Sequence, residues 1–95
     1  MDNRTLKQLR ALAHHLKPVI WLGQNGYTAS VAKEIDLALD RHQLIKLKLG
    51  GQDKESRQAL SIELADAHSA TVVQLIGATV TLYRPNPEKP NVLTG

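Results

Sequence analysis

The clearest candidate for chemistry in this chain is the tetrapeptide Gly23-Gln24-Asn25-Gly26, which lies between an apolar run and an amphipathic stretch. Glycine adopts positive φ angles and lets a ligand backbone approach closely. A helix that begins just after such a loop offers its N–H groups and its positive dipole end to an anion. KH modules clamp a nucleic-acid backbone with a G-x-x-G loop of this kind. The pattern predicts a phosphate-binding loop, with an ordinary tight turn as the alternative.

Basic residues recur at helical spacing in the segment before the loop. They form one face of the predicted first helix and comprise Lys7, Arg10, His14 and Lys17. Charged helix faces usually mix both signs and are solvated, whereas this face contains no acid. We therefore predict that it contacts phosphates, with a solvated face as the alternative. Further along the chain, Lys46 and Lys48 are predicted either to contact the same ligand or to solubilise an open sheet.

Aromatic side chains near the loop are candidates for stacking on an unpaired base. Tyr27 adjoins the loop and is the stronger candidate. Trp21 lies in a short apolar strand, where a core position is expected in preference to a stacking platform, because such platforms usually show several exposed rings.

No residue set in the sequence has the spacing of a metal or catalytic site. His14 and His15 are adjacent on a helix and point about 100° apart, so they cannot chelate one metal ion together. The chain has no cysteine, and no nucleophile–base–orienter set is visible. We therefore expect no metal, no cofactor and no enzymatic activity.

The composition indicates one small domain with an aliphatic core. The chain has 95 residues, of which 42% are hydrophobic, and it contains no phenylalanine. The absence of cysteine agrees with a reducing cytoplasm. The N-terminus is polar rather than an apolar signal region, and the longest apolar run is far shorter than a membrane span. These features predict a cytoplasmic protein with no membrane partner.

The net charge of +3 is modest, but it is unevenly distributed. Residues 1–33 contain five Lys or Arg against one acid, and residues 41–57 contain five against two. Residues 34–40 contain three acids and no base. The glycine loop therefore lies in the most positive block, which favours a polyanionic partner.

Periodicity and turn signals predict seven elements in the order α-β-α-β-α-β-β. The helices are expected over about 5–16, 28–42 and 54–68, with Thr5, Thr28 and Asp53 as their N-terminal caps and Gln8 completing a capping box at the first. The strands are expected over 19–22, 44–49, 71–76 and 79–84. Gly50-Gly51 is predicted to be a turn, and Gly77-Ala78 a type II′ hairpin turn. After a domain over 1–86, the proline-rich segment 87–95 is expected to be a flexible tail.

This order predicts an α/β fold, an open two-layer sandwich with a four-stranded mixed sheet. Two successive β-α-β units imply parallel pairing with right-handed crossovers, so their crossover helices lie on one face. The last hairpin adds an antiparallel strand. The second face is then open, and Lys46 and Lys48 point to it because they alternate with Ile45, Leu47 and Leu49.

Four motifs together resemble one protein family. They are Leu12–Val19, Gly23–Gly26, Leu44–Leu49 and Ile76–Pro85, and they are similar to bacterial YhbY-like proteins in the family's order over about residues 3–86. These proteins are stand-alone CRM domains, the chloroplast RNA splicing and ribosome maturation module. The resemblance implies a fold similar to the C-terminal domain of translation initiation factor three. It also implies RNA binding and association with precursors of the large ribosomal subunit.

The resemblance further implies an RNA surface made of the glycine loop and nearby basic residues. In this chain that surface corresponds to Gly23, Gln24, Asn25 and Gly26, with Lys17 just before the strand. Family loops often carry Lys or Arg between the glycines, whereas Gln24 and Asn25 are neutral. We therefore expect this loop to bind through backbone N–H groups and side-chain amides.

The interpretation from sequence is a monomeric RNA-binding protein that clamps the backbone of ribosomal RNA and assists assembly of the large subunit. The alternative is a protein-interaction module that docks on another ribosome-assembly factor through the basic first helix. Phosphate contacts predict a steep salt dependence and competition by generic RNA, which distinguishes the two interpretations.

Overall fold

The computed structural model describes residues 1–23, 25–50 and 53–94. The predictions for Gln24, for the Gly51 half of the Gly50-Gly51 turn and for the last residue of the tail lie outside this part of the chain. The elements are α1 (Asn3–Ala13), β1 (Pro18–Leu22), α2 (Ala29–His42), β2 (Leu44–Leu49), α3 (Lys54–Ala67), β3 (Thr71–Ile76) and β4 (Thr79–Tyr83). The predicted order of elements is confirmed. Within the described residues, no helix combines the length and apolarity needed to span a bilayer.

Two of the three predicted helix caps are confirmed. The Thr28 hydroxyl accepts a hydrogen bond from Val31 N–H at 3.2 Å, and the Asp53 carboxylate accepts one from Ser56 N–H at 2.8 Å. The first helix differs, because Asp2 is its cap and accepts from Thr5 N–H at 2.8 Å. Aspartate is at least as good a cap as threonine, so the earlier of two local candidates begins the helix.

The first helix also ends earlier than the periodicity predicts. It stops at Ala13 rather than near Leu16, and the chain then tightens into a turn in which Leu16 N–H donates to Ala13 O at 2.9 Å. Such i→i+3 bonds satisfy carbonyls at the end of a helix. The turn brings the chain to Pro18, where β1 begins.

The sheet is four-stranded and mixed, with the strand order β1-β2-β4-β3. β1 and β2 are parallel, and β4 is antiparallel to both of its neighbours. β3 therefore runs parallel to β2 without pairing to it, so the direct pairing implied by the second β-α-β unit is wrong. A helix is about 10 Å wide and strands are about 4.8 Å apart, so a crossover that skips one strand matches the width of α3.

The hairpin between β3 and β4 uses the predicted turn. Gly77 has a φ of +56°, whereas Ala78 is not among the residues with positive φ. Positive φ at the first central position alone is the requirement of a type II′ turn.

Most of the core lies between one face of the sheet and the helices α2 and α3. The alternating residues of β2 point there, together with β1 and β4 residues, and they pack against Ile35, Leu39 and Leu64. Burial of these aliphatic side chains is what fixes both helices on the same face, as the sequence predicts.

The opposite face is only partly open, because α1 covers one end of it. Leu9 and Ala13 of α1 pack there against Leu44, Val73 and Tyr83. These three residues lie near the start of β2, near the start of β3 and at the end of β4, respectively. The other end of this face, which includes Lys46 and Lys48, stays uncovered by any described helix.

The segment after residue 86 folds back onto the domain. The Gln43 amide donates to Pro90 O at 2.9 Å, and the Asn91 amide donates to the Tyr83 hydroxyl at 2.7 Å. Val92 and Leu93 pack against the α1 cluster. This apolar pair covers the end of the core beneath α1, which is why a segment with three nearby prolines does not extend into solvent. The domain boundary at residue 86 stays a prediction.

Candidate nucleic-acid interface

The two glycines that bound the loop are joined by a backbone hydrogen bond and have open space beside them. Gly26 N–H donates to Gly23 O at 2.9 Å, and Gly26 has a φ of +67°. A Cβ atom at either glycine would meet no atom within 4 Å apart from those of the adjacent residues in the chain. The positive φ angle of residue 26 favours glycine at this position, because other residues rarely adopt it. At both positions, a ligand backbone has room to approach.

The start of α2 lies directly behind this turn. Thr28 caps the helix only two residues after Gly26, and the first turn of α2 contains no acidic residue. The positive end of the helix dipole therefore acts close to the loop. Asn25 is exposed and adds a side-chain amide to the same surface. The arrangement can accept an oxyanion through backbone and amide donors.

Tyr27 is tied into the protein by its hydroxyl group. Its oxygen lies 2.8 Å from Nε2 of His68, a buried residue at the end of α3. The two rings meet edge to face, with planes 86° apart. Tyr27 is half-buried and packs against the main core. The structure therefore favours an anchoring role for Tyr27 over the predicted stacking on a base, which stays a prediction.

A hydrogen-bond network continues from His68 to α2 and to the end of β4. Nδ1 of His68 lies 2.7 Å from Oδ1 of Asp36. The Arg84 guanidinium donates to the same carboxylate at 3.0 Å, to His68 O at 2.9 Å and to Asp40 at 2.9 Å. Asp36 and Asp40 thus hold Arg84 between them. They lie four residues apart beside the buried Ile35 and Leu39, from where an acid can reach a neighbouring element.

The network shifts the pKa values of Asp36 and Tyr27 and sets the order of donors and acceptors. Hydrogen bonds from His68 and then from Arg84 hold the pKa of Asp36 below its ordinary value, in spite of its partial desolvation. A carboxylate only accepts hydrogen bonds, so in the neutral imidazole Nδ1 carries the proton and Nε2 accepts from the Tyr27 hydroxyl. Burial, and then the negative charge of Asp36, raise the pKa of Tyr27, so its phenol is neutral near pH 7.

Asp36, His68 and Tyr27 form a carboxylate–imidazole–hydroxyl series like that of a catalytic relay. Their placement indicates a structural role instead. The phenol is directed at a buried imidazole and is hard to ionise. The clefts beside α1, on the open sheet face and between α2 and the tail are lined by residues other than Tyr27, His68 and Asp36. The network therefore joins the residue after the loop to α2, α3 and the end of β4. Its members are far apart in sequence, so periodicity gave no signal for it.

Of the predicted basic face, Lys17 lies at the other end of β1 from the glycine loop, and Arg10 lies against β3 at the far edge of the sheet. Lys7, His14 and Lys17 are exposed, and Arg10 uses its Nε–H to bind Val73 O of β3 at 3.3 Å. Lys17 directly precedes β1, and the loop directly follows it, so five strand residues separate them by roughly 17 Å. Closeness in sequence therefore does not place these groups at one phosphate.

The uncovered part of the sheet face lies between these two ends. It forms a cavity of about 320 Å³ lined by Pro18, Lys46, Lys48, Gln74, Ile76, Thr79 and Thr81. The predicted direction of Lys46 and Lys48 is thus confirmed, while their contact with a ligand stays a prediction.

Trp21 borders the same face, and its expected core position is wrong. The side chain is 63% exposed, whereas its neighbours Ile20 and Leu22 are buried. Successive strand residues point to opposite faces, so burying Ile20 and Leu22 against the helices turns Trp21 outwards. The uniformly apolar run of β1 hides this alternation in the sequence.

Comparison with known proteins gives consistent matches over nearly the whole chain. The model of the CRS1/YhbY (CRM) domain matches residues 1–84. An RNA-binding protein of Haemophilus influenzae is 46% identical over 84% of this chain and 81% of its own length. A probable RNA-binding protein of Pseudomonas aeruginosa is 44% identical over 90% of this chain and 81% of its own length. The solution structure of a hypothetical Staphylococcus aureus protein, proposed to bind RNA, is 27% identical and superposes with a TM-score of 0.84, covering 100% of this chain and 97% of that one.

Proposed function

Because the chain belongs to the CRS1/YhbY (CRM) domain family, we propose that it is a cytoplasmic, monomeric, non-enzymatic RNA-binding protein that binds structured ribosomal RNA and assists assembly of the large subunit. Two relatives at 44–46% identity are named as RNA-binding proteins, which supports the class of ligand. The observation that carries the mechanism is the Gly23–Gly26 turn, with open space in front of it and the start of α2 behind it.

The proposed mechanism is a clamp on the RNA backbone with two separate ends. At one end, loop N–H groups and the Asn25 amide bind one phosphate. At the other end, Lys7, Arg10, His14 and Lys17 bind further phosphates. Lys46 and Lys48 lie on the sheet face between them. These contacts position the RNA and carry little information about its sequence, so specificity follows from RNA shape.

The clamp makes affinity depend steeply on salt. Four to six phosphate contacts release counterions from the RNA and give a log–log slope of roughly −3 to −5. A titration of a structured large-subunit RNA fragment over a salt series measures this slope.

The decisive experiment compares two isosteric amide-to-acid substitutions. Asn25→Asp places a negative charge in the loop. The control Gln58→Glu places one at an exposed position of α3, which packs on the sheet face opposite to Lys46 and Lys48. We expect Asn25→Asp to lower RNA affinity at least tenfold, or about 1.4 kcal/mol, because the introduced carboxylate then lies close to an RNA phosphate. Gln58→Glu should bind nearly as the wild type does. Equal affinities for the two variants would mean that the loop is only a turn.

A second candidate function is supported by an apolar cleft beside α1. The cleft has a volume of about 470 Å³, and its lining includes the exposed Leu12 and Leu16 of the α1 region and Val19 of β1. Such a surface suits a protein-interaction module that docks on another assembly factor. Leu12→Ser should then abolish co-purification of that factor while leaving the affinity and salt slope for RNA unchanged.

A further inference from the structure

The exposed tryptophan is the most costly feature of the open sheet face. Trp21 carries the largest side chain of the chain, yet it is 63% exposed on a strand whose other residues include the buried Ile20 and Leu22. An aromatic ring of this size gains much of its free energy by burial, so leaving it in water forgoes a large stabilisation. Its position therefore indicates a surface that is covered in a complex.

The neighbours of Trp21 are cationic. In the parallel pairing of β1 with β2, Trp21 lies in register with Lys48, and both point away from the main core. Paired strands lie about 4.8 Å apart, and Lys46 lies two residues back along the same face, about 7 Å from Lys48. The residues that line the adjoining cavity include both lysines and no carboxylate. The surface combines a flat ring with positive charge and is complementary to a base and its phosphates.

The same face does not have the character of a protein-docking patch. Ile76, which is also strongly exposed, lies on β3 at the far edge of the sheet, and the exposed Val19 of β1 belongs to the lining of the cleft beside α1. Between Trp21 and Ile76 lie the two central strands, which present Lys46, Lys48, Thr79 and Thr81. The apolar area is therefore split by polar side chains, whereas protein partners favour contiguous apolar surface.

From this placement we propose that the open sheet face binds an unpaired nucleotide of RNA, whose base stacks on Trp21 and whose flanking phosphates contact Lys46 and Lys48. The inference rests on the proposed function and names the kind of RNA that the clamp takes. Bases inside an A-form duplex are already stacked, so only a bulged, looped or single-stranded nucleotide offers its ring. The open face adjoins β1, which has the loop at one end and Lys17 at the other, so the unpaired nucleotide lies between these two backbone contacts.

The test uses Trp21 as its own probe, because it is the only tryptophan in the chain. Two RNA hairpins are compared, one blunt-ended and one with a short single-stranded uridine extension. We expect the extended hairpin to quench tryptophan fluorescence at saturation and the blunt hairpin to leave it nearly unchanged. Trp21→Leu should weaken binding of the extended hairpin about tenfold and of the blunt hairpin hardly at all, while Trp21→Tyr should retain most of the affinity because a ring remains.

The matched control is Ile62→Ala, which removes a similarly exposed apolar side chain from α3 and should not change either affinity. Thermal unfolding of each variant confirms that the fold is kept. The stacking proposal is overturned if tryptophan fluorescence is unchanged and Trp21→Leu binds the extended hairpin as the wild type does. If both hairpins still bind with a steep salt slope in that case, the clamp stands without stacking. If neither hairpin binds, the proposed function itself fails, and the stacking proposal fails with it.

Discussion

Both ring nitrogens of His68 have hydrogen-bond partners, so this buried imidazole has no unsatisfied polar atom. One partner lies in the segment between the glycine loop and α2, and the other lies in the middle of α2. The imidazole therefore links the end of α3 to the residue that follows the loop and helps to hold the loop in position. At this scale, the position of the loop depends on side chains that do not themselves face a ligand.

Tyr27→Phe removes the hydroxyl that binds His68 and keeps the ring. A buried nitrogen then loses its partner, and we expect the free energy of unfolding to fall by about 1–2 kcal/mol in urea titrations. RNA affinity should fall as well, because the loop loses its anchor. Stacking by Tyr27 instead predicts unchanged affinity, since phenylalanine stacks equally well. Unchanged affinity with lowered stability would therefore contradict a positioning role in binding.

The depressed pKa of Asp36 makes the network sensitive to acid. In the unfolded chain an aspartate titrates near pH 3.9, and in the folded protein Asp36 titrates lower. Its contribution to stability is thus present above about pH 4 and is lost as the pH falls through the folded pKa. Asp2 and Asp53 contribute in the same direction, because backbone N–H groups lower the pKa of each.

Asp36→Asn should therefore lose less stability on acidification than the wild type does. The measurement is the free energy of unfolding in urea at a series of pH values from neutral to acid. Glu34→Gln on the same helix controls for the removal of one negative charge from α2. Parallel pH profiles for the wild type and Asp36→Asn would contradict the assigned role of the carboxylate.

At the scale of elements, the tail and α1 form one unit on the second face of the sheet. Val92 and Leu93 cover the cluster that contains Leu9, and Asn91 binds the Tyr83 hydroxyl. The tail therefore adds to the stability of the domain, and α1 depends on it for part of its burial.

Val92→Ala/Leu93→Ala should lower the free energy of unfolding by about 1–3 kcal/mol, because both side chains are half-buried. Urea unfolding measures the effect, and the exposed Thr94→Ala serves as the control. A double variant as stable as the control would show that the tail contributes no packing in solution.

Local signals predicted the elements well where polarity and periodicity agree. Lys46 and Lys48 mark the solvent side of β2, and Thr28 and Asp53 cap their helices through bonds to residues three positions away. β1 offers no such contrast, since both of its faces are apolar in sequence. The predicted core position of Trp21 was therefore wrong. The strand order depends on pairing between strands that are distant in sequence, and the Tyr27–His68 and Arg84–Asp36 contacts span 41 and 48 residues, respectively. No local pattern encodes these pairings.

For the whole molecule, the decisive dimension is the length of β1. The loop and Lys17 lie at its two ends, roughly 17 Å apart, beyond the range over which two substitutions usually interact. A clamp with two ends therefore predicts that the effects of changing each end are independent. A single phosphate site would instead couple them, because each change would alter the same contact.

Asn25→Asp, Lys17→Gln and their double variant test this in a mutant cycle on RNA affinity. The two losses of binding free energy should add to within about 0.5 kcal/mol, because no side chain or phosphate is shared. Lys17→Gln should also reduce the steepness of the salt slope by roughly 0.7–0.9, the value of one phosphate contact. As a positive control for coupling, Asn25→Asp combined with Tyr27→Phe changes the loop and its anchor together and should deviate from additivity. Strong coupling between Asn25 and Lys17 would mean that the RNA bends to bring both ends to one phosphate, and the extended path across the sheet face would then be wrong.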